Sequence, residues 1–176
     1  MSVNLRPVVR QDFDRILPWL EDEAVIEYLN GFPMDRREMA AWFEEFWKDG
    51  QRSPALSLMI DLGREPIGFC RLTPGSSLKG MAGWTIVIGE KSLWGQGLGF
   101  KAGRQSLAHG FEQLKLWEIH SCAHVANQRS IALLEKLGFA SGNLVIKEAY
   151  CRGQLVDAHR FILIKEIWQL ANQRVA

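Results

Sequence analysis

The stretch WTIVIGEKSLWGQGLGF, residues 84–100, joins an apolar, β-branched run to a glycine-rich turn and then to a helical segment. The run at 84–88 predicts a strand buried on both faces. The glycines at 95, 97 and 99 remove Cβ atoms where a ligand has to approach the backbone. The first N–H groups of the following helix lack intrahelical partners and lie at the positive end of its dipole. The stretch therefore favours a phosphate or pyrophosphate site, and a tight turn whose glycines serve packing alone is the alternative.

Two other phosphate-binding loops fit this turn poorly. A Walker loop requires a hydroxyl residue after its lysine, and Lys101 is followed by alanine. A dinucleotide-binding GxGxxG motif requires a third glycine where Phe100 stands, and it usually opens a domain, whereas this turn lies past the middle of the chain. Neither of these loops is therefore predicted.

Local patterns divide the rest of the chain into helices and strands with no linker, repeat or low-complexity segment between them. Apolar residues at helical spacing predict helices at 12–20, 23–29, 35–50, 98–114 and 127–137. Short apolar runs predict strands at 3–9, 55–61, 67–72, 119–125, 144–150 and 158–167, the second and third joined as a hairpin. Asp12, Asp35 and Asn127 are predicted to cap helices. This order predicts a mixed α/β fold with one sheet, in a single domain spanning residues 1–176.

The composition is that of an ordinary globular protein. Of 176 residues, 47% are hydrophobic and 23% are charged, which argues against a disordered chain. The 21 basic and 20 acidic residues give a net charge of +1, so neither nucleic acid nor an anionic membrane is predicted as a partner. No signal peptide is recognised, and no segment has the ~20 apolar residues needed to span a bilayer. Three widely spaced cysteines form neither a CxxC pair nor a disulfide ladder, which favours a reducing, cytoplasmic location.

Three segments resemble motifs of the GNAT superfamily of N-acetyltransferases. Residues 86–99 resemble its coenzyme A motif, with a tryptophan before the glycines as in the branch of ribosomal-protein N-terminal (Rim-type) and spermidine acetyltransferases. Residues 127–139, NQRSIALLEKLGF, resemble a conserved helix of the family, and residues 153–157 resemble the segment before its last strand. The resemblance implies the GNAT acyl-CoA N-acyltransferase fold, an α/β (α+β) fold whose central, mostly antiparallel sheet is splayed at the coenzyme site. It also implies acetyl-CoA as cosubstrate and no metal.

The same resemblance assigns coenzyme binding to residues around the glycine turn. The pantetheine arm would pair with the exposed backbone of the preceding strand, and Asn127 would bond the arm; simple N-capping is the alternative for Asn127. Lys101 would reach the 3′-phosphate, although a solvated helix face is the more common place for such a lysine. The residues assigned to the arm and the pyrophosphate are Ile86, Val87, Ile88, Trp94, Gly95, Gln96, Gly97, Leu98 and Gly99.

The residues for proton transfer are harder to assign. Relatives often have a tyrosine acid and a glutamate base at positions that correspond to Leu134 and Gly83, and neither residue here can carry a proton. Ser130 can donate a hydrogen bond to the departing sulfur, or it can simply bond the backbone of its own helix. His120 and His124 lie four residues apart on one face of a predicted strand, and histidine titrates in the range that a base requires. His124 is expected to contribute more to kcat; a structural, hydrogen-bonded histidine is the alternative for each.

Two functions from different classes are consistent with these residues. The first is an N-acetyltransferase that moves an acetyl group from acetyl-CoA to a primary amine by direct attack, with a protein N-terminus, a polyamine or an aminosugar as acceptor. The Rim-type resemblance slightly favours a protein α-amine. The second is a catalytically weak GNAT-fold module that binds acyl-CoA for regulation, which the missing tyrosine and glutamate favour. Two histidines without a third ligand do not predict a zinc site, and a homodimer is compatible with the sequence, which leaves the oligomeric state open.

Overall fold

Seven strands and six α-helices make up the described part of the chain. The protein's structure, a computed structural model, describes residues 2–54, 56–75 and 79–173, so Ala55, where the second strand is predicted to begin, lies outside it. The strands are β1 (Val3–Pro7), β2 (Ser57–Leu62), β3 (Glu65–Pro74), β4 (Met81–Ile88), β5 (Glu118–His124), β6 (Ala140–Cys151) and β7 (Gln154–Ile164). The helices are α1 (Phe13–Leu20), α2 (Glu23–Ile26), α3 (Arg36–Gly50), α4 (Leu98–Ala108), α5 (Gln128–Lys136) and α6 (Lys165–Gln173).

The strands form one sheet in the order β1-β2-β3-β4-β5-β7-β6. Every neighbouring pair is antiparallel except β4 and β5, which run parallel. These two strands pair only through residues 81–83 and 118–120; beyond that, β4 continues along β3 and β5 continues along β7. This arrangement confirms the predicted mostly antiparallel sheet with a splay, and the divergence opens the middle of the sheet to a ligand.

Helices cover both faces of the sheet and enclose apolar clusters on each face. On the α4–α5 face, Trp84 of β4 packs with Leu107 and Leu134. On the α1–α3 face, Val87 of the same strand packs with Phe46. Each fully buried side chain of this kind contributes about 1.5–3 kcal/mol. Because the side chains of β4 alternate in direction and join clusters on both faces, β4 is held firmly even where no strand pairs with it on its β5 side.

Two of the three predicted helix caps are confirmed. Asp35 Oδ1 accepts from Glu38 N at 2.8 Å, and Glu38 Oε2 accepts in return from Asp35 N at 2.7 Å. This reciprocal pair is a capping box that starts α3. Asn127 Oδ1 accepts from Ser130 N at 3.1 Å and starts α5. Both caps satisfy N–H groups that have no partner inside their helices.

The prediction that Asp12 caps α1 is wrong, because its side chain makes no capping bond to that helix. The carboxylate accepts instead from Val9 N at 2.8 Å and from two nitrogens of Arg6. Nε of Arg6 donates to Asp61 Oδ2 at 2.8 Å, so one guanidinium joins two buried carboxylates. Hydrogen bonding to Asp12 is the largest influence on Arg6 and raises the pKa of its guanidinium. This network ties β1 to β2 and to the turn before α1.

Several strands differ from the predicted bounds by a few residues, and two of them differ in ways that affect packing. The run at 84–88 is not buried on both faces, because Thr85 is exposed where β5 has diverged. The last strand ends at Ile164 rather than at 167, and α6 follows it directly. The apolar residues at the end of that predicted strand therefore belong to a helix, where Trp168 packs on Phe111 with ring centroids 5.2 Å apart.

Two helices are shorter than predicted. The helix predicted at 98–114 ends at Ala108 in α-helical form and continues as a π-helical turn, His109–Gln113. The helix predicted at 23–29 is the single turn α2. Within the described residues, no helix has the length and apolar character needed to cross a membrane.

Candidate active site

The splay between β4 and β5 exposes main-chain groups of β4. Ser121 Oγ, on β5, donates to the carbonyl oxygen of Trp84 at 3.0 Å, so the main-chain groups of Trp84 point towards β5. Because these groups alternate in direction along a strand, those of Ile86 and Ile88 point the same way, and those of Val87 point towards β3. An extended ligand in the splay would therefore meet the main chain of Ile86 and Ile88 rather than that of Val87.

The glycine turn joins β4 to α4 through two left-handed residues. Gly95 has a φ of 77° and Gly97 a φ of 75°, a region that strongly favours glycine. Gly97 is the N-cap of α4, no side chain caps this helix, and Lys101 N donates to Gly97 O at 3.1 Å. A Cβ at either glycine would meet no heavy atom within 4 Å, so the space beside the turn is open. The uncapped N–H groups at this positive end of the helix dipole are suited to an anion.

Side chains of the turn hold its shape. Trp94 Nε1 donates to the carbonyl oxygen of Ile88 at 2.7 Å, and Gln96 Nε2 donates to Ser92 O at 3.0 Å. The guanidinium of Arg129, on α5, lies 4.4 Å from the centroid of the Trp94 ring. Arg129 lies two residues after Asn127 in the motif on α5 and was not among the predicted site residues. It brings a cation to the mouth of the glycine turn.

The other predicted coenzyme residues lie at the starts of α4 and α5. Leu98 is buried and packs in the core beneath α4, whereas Lys101 is exposed on that helix. Asn127 fulfils the capping role described above, and Ser130 is half-buried in the first turn of α5. Leu134 is 1% exposed within the core, so this position supplies no proton donor.

The two histidines on β5 make different contacts. His120 Nε2 contacts Glu118 Oε1, a carboxylate two residues earlier on the same face of the strand. His124 Nδ1 accepts from Ala126 N at 2.9 Å, and its ring lies 5.2 Å from that of Tyr28. His124 therefore matches the structural alternative, while His120 is joined to an acid. Glu118 was missed in the sequence analysis, although its i, i+2 spacing from His120 places both on one face of a strand.

The acidic residues before α2 are engaged with other groups. Asp22 accepts from Ala24 N at 2.9 Å and lies 2.6 Å from Lys91 Nζ. The hydrogen bond from Lys91 is the main cause that lowers the pKa of the Asp22 carboxyl. Glu21 lies 3.6 Å from Arg36. These carboxylates serve the surface and the helix start, and among the described residues no cluster of three metal-ligating side chains occurs.

Comparison with known families identifies this arrangement. Residues 2–140 match the Acetyltransferase (GNAT) domain, which covers both the splay and the glycine turn. The chain belongs to the GNAT acetyltransferase family. Membership of this family makes the chain an acetyl-CoA-dependent N-acetyltransferase. It confirms the predicted fold and the predicted type of reaction.

Individual relatives are distant in sequence and close in fold. The chain is 26% identical over 167 residues to an uncharacterised N-acetyltransferase, p20, of Bacillus licheniformis, covering 93% of each chain. It superposes on spermidine N-acetyltransferase from Vibrio cholerae, solved with CoA and spermine, with a TM-score of 0.80 at 19% identity, over 95% of this chain and 98% of the other. RimJ from Mycobacterium smegmatis, solved with CoA-disulfide, gives a TM-score of 0.79 at 20% identity, over 93% and 82%. These likenesses show the fold.

Replacing the tryptophan of the glycine turn tests whether the turn binds the coenzyme. Trp94→Phe keeps a ring beneath Arg129 but loses the bond to Ile88 O, so we expect the KM for acetyl-CoA to rise about fivefold, the equivalent of one hydrogen bond. The kcat is expected to stay within twofold. Trp117→Phe is the matched control, because Trp117 Nε1 donates to Lys79 O at 3.1 Å away from the turn. Equal KM values for both variants would contradict the role of Trp94.

Proposed function

We propose that this GNAT acetyltransferase binds acetyl-CoA in the splay and transfers the acetyl group to a primary amine that approaches from the α1–α3 face. The observation that carries this proposal is the open path from the unpaired edge of β4 to the uncapped start of α4. Acetyl-CoA, with its extended pantetheine arm and anionic diphosphate, matches both halves of that path. The first half offers main-chain pairing, and the second offers free N–H groups at a helix start.

Specific roles follow for the residues along the path. Gly95, Gly97 and Gly99, with the main chain of Trp94, Gln96 and Leu98, bind the diphosphate. Ile86 and Ile88 pair with the pantetheine arm, whereas Val87 contributes through core packing. In this proposal Lys101 binds the 3′-phosphate, Asn127 bonds the pantetheine arm, and Ser130 donates to the departing sulfur. The uncapped start of α4 supports diphosphate binding, and the alternating direction of the main-chain groups along β4 supports pairing with the arm.

Direct attack by the amine is favoured over an acetyl-cysteine intermediate. Cys122 lies on β5 between the two histidines and is the thiol that a covalent route would use. Although the Cys122 side chain is exposed, desolvation by the protein around it is the main cause that raises its pKa, and the charge of Glu148 adds to this effect while that of Arg160 opposes it. The thiolate, which is the nucleophile, is therefore disfavoured near neutral pH.

Cys122→Ala is accordingly expected to retain kcat within about threefold, since direct attack needs no enzyme nucleophile. Initial-rate kinetics should give intersecting lines, as for a ternary complex. A 42-dalton mass increase on the wild-type protein incubated with acetyl-CoA alone, lost in Cys122→Ala together with turnover, would contradict direct attack.

The acceptor is a small-molecule or peptide amine. The fold neighbour solved with spermine supports a polyamine, and the resemblance to the Rim-type branch supports a protein α-amine. The test is release of the coenzyme thiol from acetyl-CoA in the presence of peptide, polyamine and aminosugar amines in turn. Amine-dependent release identifies the enzyme and narrows its acceptor. Saturable acetyl-CoA binding without release for any amine would favour the regulatory acyl-CoA-binding module.

The cellular setting is also a proposal. Cys70, Cys122 and Cys151 are free thiols, which supports a cytoplasmic location. The balanced charge supports the expectation that nucleic acid is not a partner. A homodimer is supported by Ile146 and Leu155, which are 70% and 57% exposed on the β6–β7 hairpin. Light scattering coupled to gel filtration tests the dimer.

A further inference from the structure

We propose that Glu118 and His120 form the proton-accepting pair of this active site, with His120 as the base and Glu118 as the residue that positions it. The inference rests on the proposed function, since it names the group that deprotonates the amine. His120 is paired directly with Gly83, and these are the last paired residues of β5 and β4 before the strands diverge. The pair therefore lies at the closed end of the splay, where an arm that follows β4 from the glycine turn would end.

Gly83 leaves room for an imidazole and an amine at that point. A Cβ on Gly83 would meet only Thr73 O, at 3.9 Å, so the face of β4 beside His120 is open. Thr85, the next residue on the same face, is exposed. Side chains directly opposite in paired strands lie side by side, so His120 borders this opening. Gly83, Thr85 and His120 together are called the notch below.

Contact with Glu118 fixes the state of His120. A carboxylate can only accept, so in the neutral imidazole the contact favours the tautomer in which Nε2 carries the hydrogen and Nδ1 keeps its lone pair. Among the described residues no hydrogen bond to Nδ1 of His120 is made. The Glu118 side chain is 15% exposed and that of His120 is 37% exposed, so the acid is sheltered while the base remains reachable. In His124, by contrast, Nδ1 already accepts from Ala126 N.

The other ionisable groups around the notch include two cations that are paired with carboxylates. The ionisable groups of the α1–α3 face there are Arg71 of β3, Asp49 of α3, Cys122 and His124 of β5, Glu148 of β6, Arg160 of β7 and Tyr28 after α2. Arg160 lies 2.7 Å from Glu148, and Arg71 lies 2.5 Å from Asp49. Both cations are therefore already matched with carboxylates. Within the described part of the chain, Glu118 is the carboxylate in contact with His120.

The proton balance of the reaction assigns each group a step. An ammonium group loses one proton to Nδ1 of His120, which becomes an imidazolium stabilised by Glu118. The free amine nitrogen then attacks the thioester carbonyl carbon, and the C–S bond breaks as the C–N bond becomes an amide. The second proton of the nitrogen goes to the departing sulfur, and His120 releases the first proton to solvent. One ammonium and one acetyl-CoA thus give one amide, one coenzyme thiol and one proton.

His120→Gln tests the base directly. We expect kcat to fall about 100-fold or more, because a lost general base costs that much, with the KM for acetyl-CoA within twofold. His159→Gln is the matched control. His159 of β7 pairs with Ala123 of β5, so its side chain lies on the α4–α5 face, away from the notch. That control should keep wild-type kcat. A tenfold loss in His124→Gln with none in His120→Gln would overturn the assignment.

Glu118→Gln tests the positioning role through the split between kcat and the KM for acetyl-CoA. Loss of the carboxylate removes the group that holds and stabilises the imidazolium, so kcat should fall about tenfold while the KM for acetyl-CoA stays within twofold. In the His120→Gln background the same change should lower kcat no further, because Glu118 acts through His120. A residue that only supports the fold would cost the same in both backgrounds, and that result would overturn the proposal.

A relocated carboxylate gives a second measurement on folded protein. Gly83 has room for a side chain, so Gly83→Glu can bring a carboxylate to the notch. In the His120→Gln background it should raise kcat at least tenfold above that of His120→Gln alone. A double variant that binds acetyl-CoA like the single variant but recovers nothing would place the base elsewhere. A wild-type protein that binds acetyl-CoA but acetylates no amine would overturn the proposed function itself, and with it this inference. Wild-type turnover with unaffected variants would overturn the inference alone.

Discussion

Gly97→Asp is expected to weaken acetyl-CoA binding by about 100-fold, or about 2.8 kcal/mol, while the protein stays folded. Gly97 is left-handed, with a φ of 75°, and aspartate tolerates that region better than most residues. Its Cβ would point into open space, so no atom of the protein has to move. A carboxylate at the start of α4 is also favourable to the helix dipole. The same charge would occupy the position proposed for the diphosphate and repel it.

Calorimetric titration with acetyl-CoA measures the affinity of the variant, and a thermal melt shows whether it is folded. Gly63→Asp is the matched control, because Gly63 is also left-handed, with a φ of 67°, but lies in the β2–β3 turn. The control should bind acetyl-CoA as the wild type does. Tight binding by a folded Gly97→Asp protein would rule out the glycine turn as the anion site.

Arg6→Met is expected to lower the free energy of unfolding by about 3 kcal/mol, towards the lower end for a broken buried ion pair. Arg6 joins Asp12 and Asp61, whose side chains are 6% and 12% exposed, and its own side chain is 34% exposed. The methionine fills similar space but leaves two buried carboxylates without their counter-ion. Asp61 Oδ1 already lacks a hydrogen-bond partner within the described residues, so the loss cannot be compensated there.

Urea unfolding followed by tryptophan fluorescence measures this loss. Arg10→Met is the control, because Arg10 forms an exposed pair with Glu44 at 2.9 Å and should cost less than about 1 kcal/mol. The turn before α1 also depends on Asp12, so Arg6→Met should loosen that turn, which hydrogen exchange can detect. Equal stability of the two variants would show that the network contributes no more than a surface pair.

Features that depend on neighbouring residues were predictable from the sequence. Asp35 with Glu38 three residues later starts a helix because the two side chains bond each other's backbone. The glycines at 95 and 97 predicted a tight turn, and the structure has a turn there in which both have positive φ. The cap at Asn127 follows from the same local chemistry. These predictions needed no knowledge of distant contacts.

Features that depend on distant residues were not predictable in this way. Asp12 resembles a cap locally, yet Arg6 and Asp61 offer its carboxylate a better partner. The end of β7 resembles a continuing strand, yet α6 forms because Trp168 packs on Phe111. In each case a contact between separate elements outweighs the local preference.

The sequence by itself determined the strand–turn–helix unit at 84–108 and the family to which the chain belongs, because backbone conformation and helix caps are set by residues close together in the chain. The tertiary structure alone decided that β4 and β5 diverge after Gly83 and His120, and that His120 meets Glu118 beside an open notch. The pairing of two strands about 35 residues apart creates that notch, and no local pattern encodes which residues face each other across it.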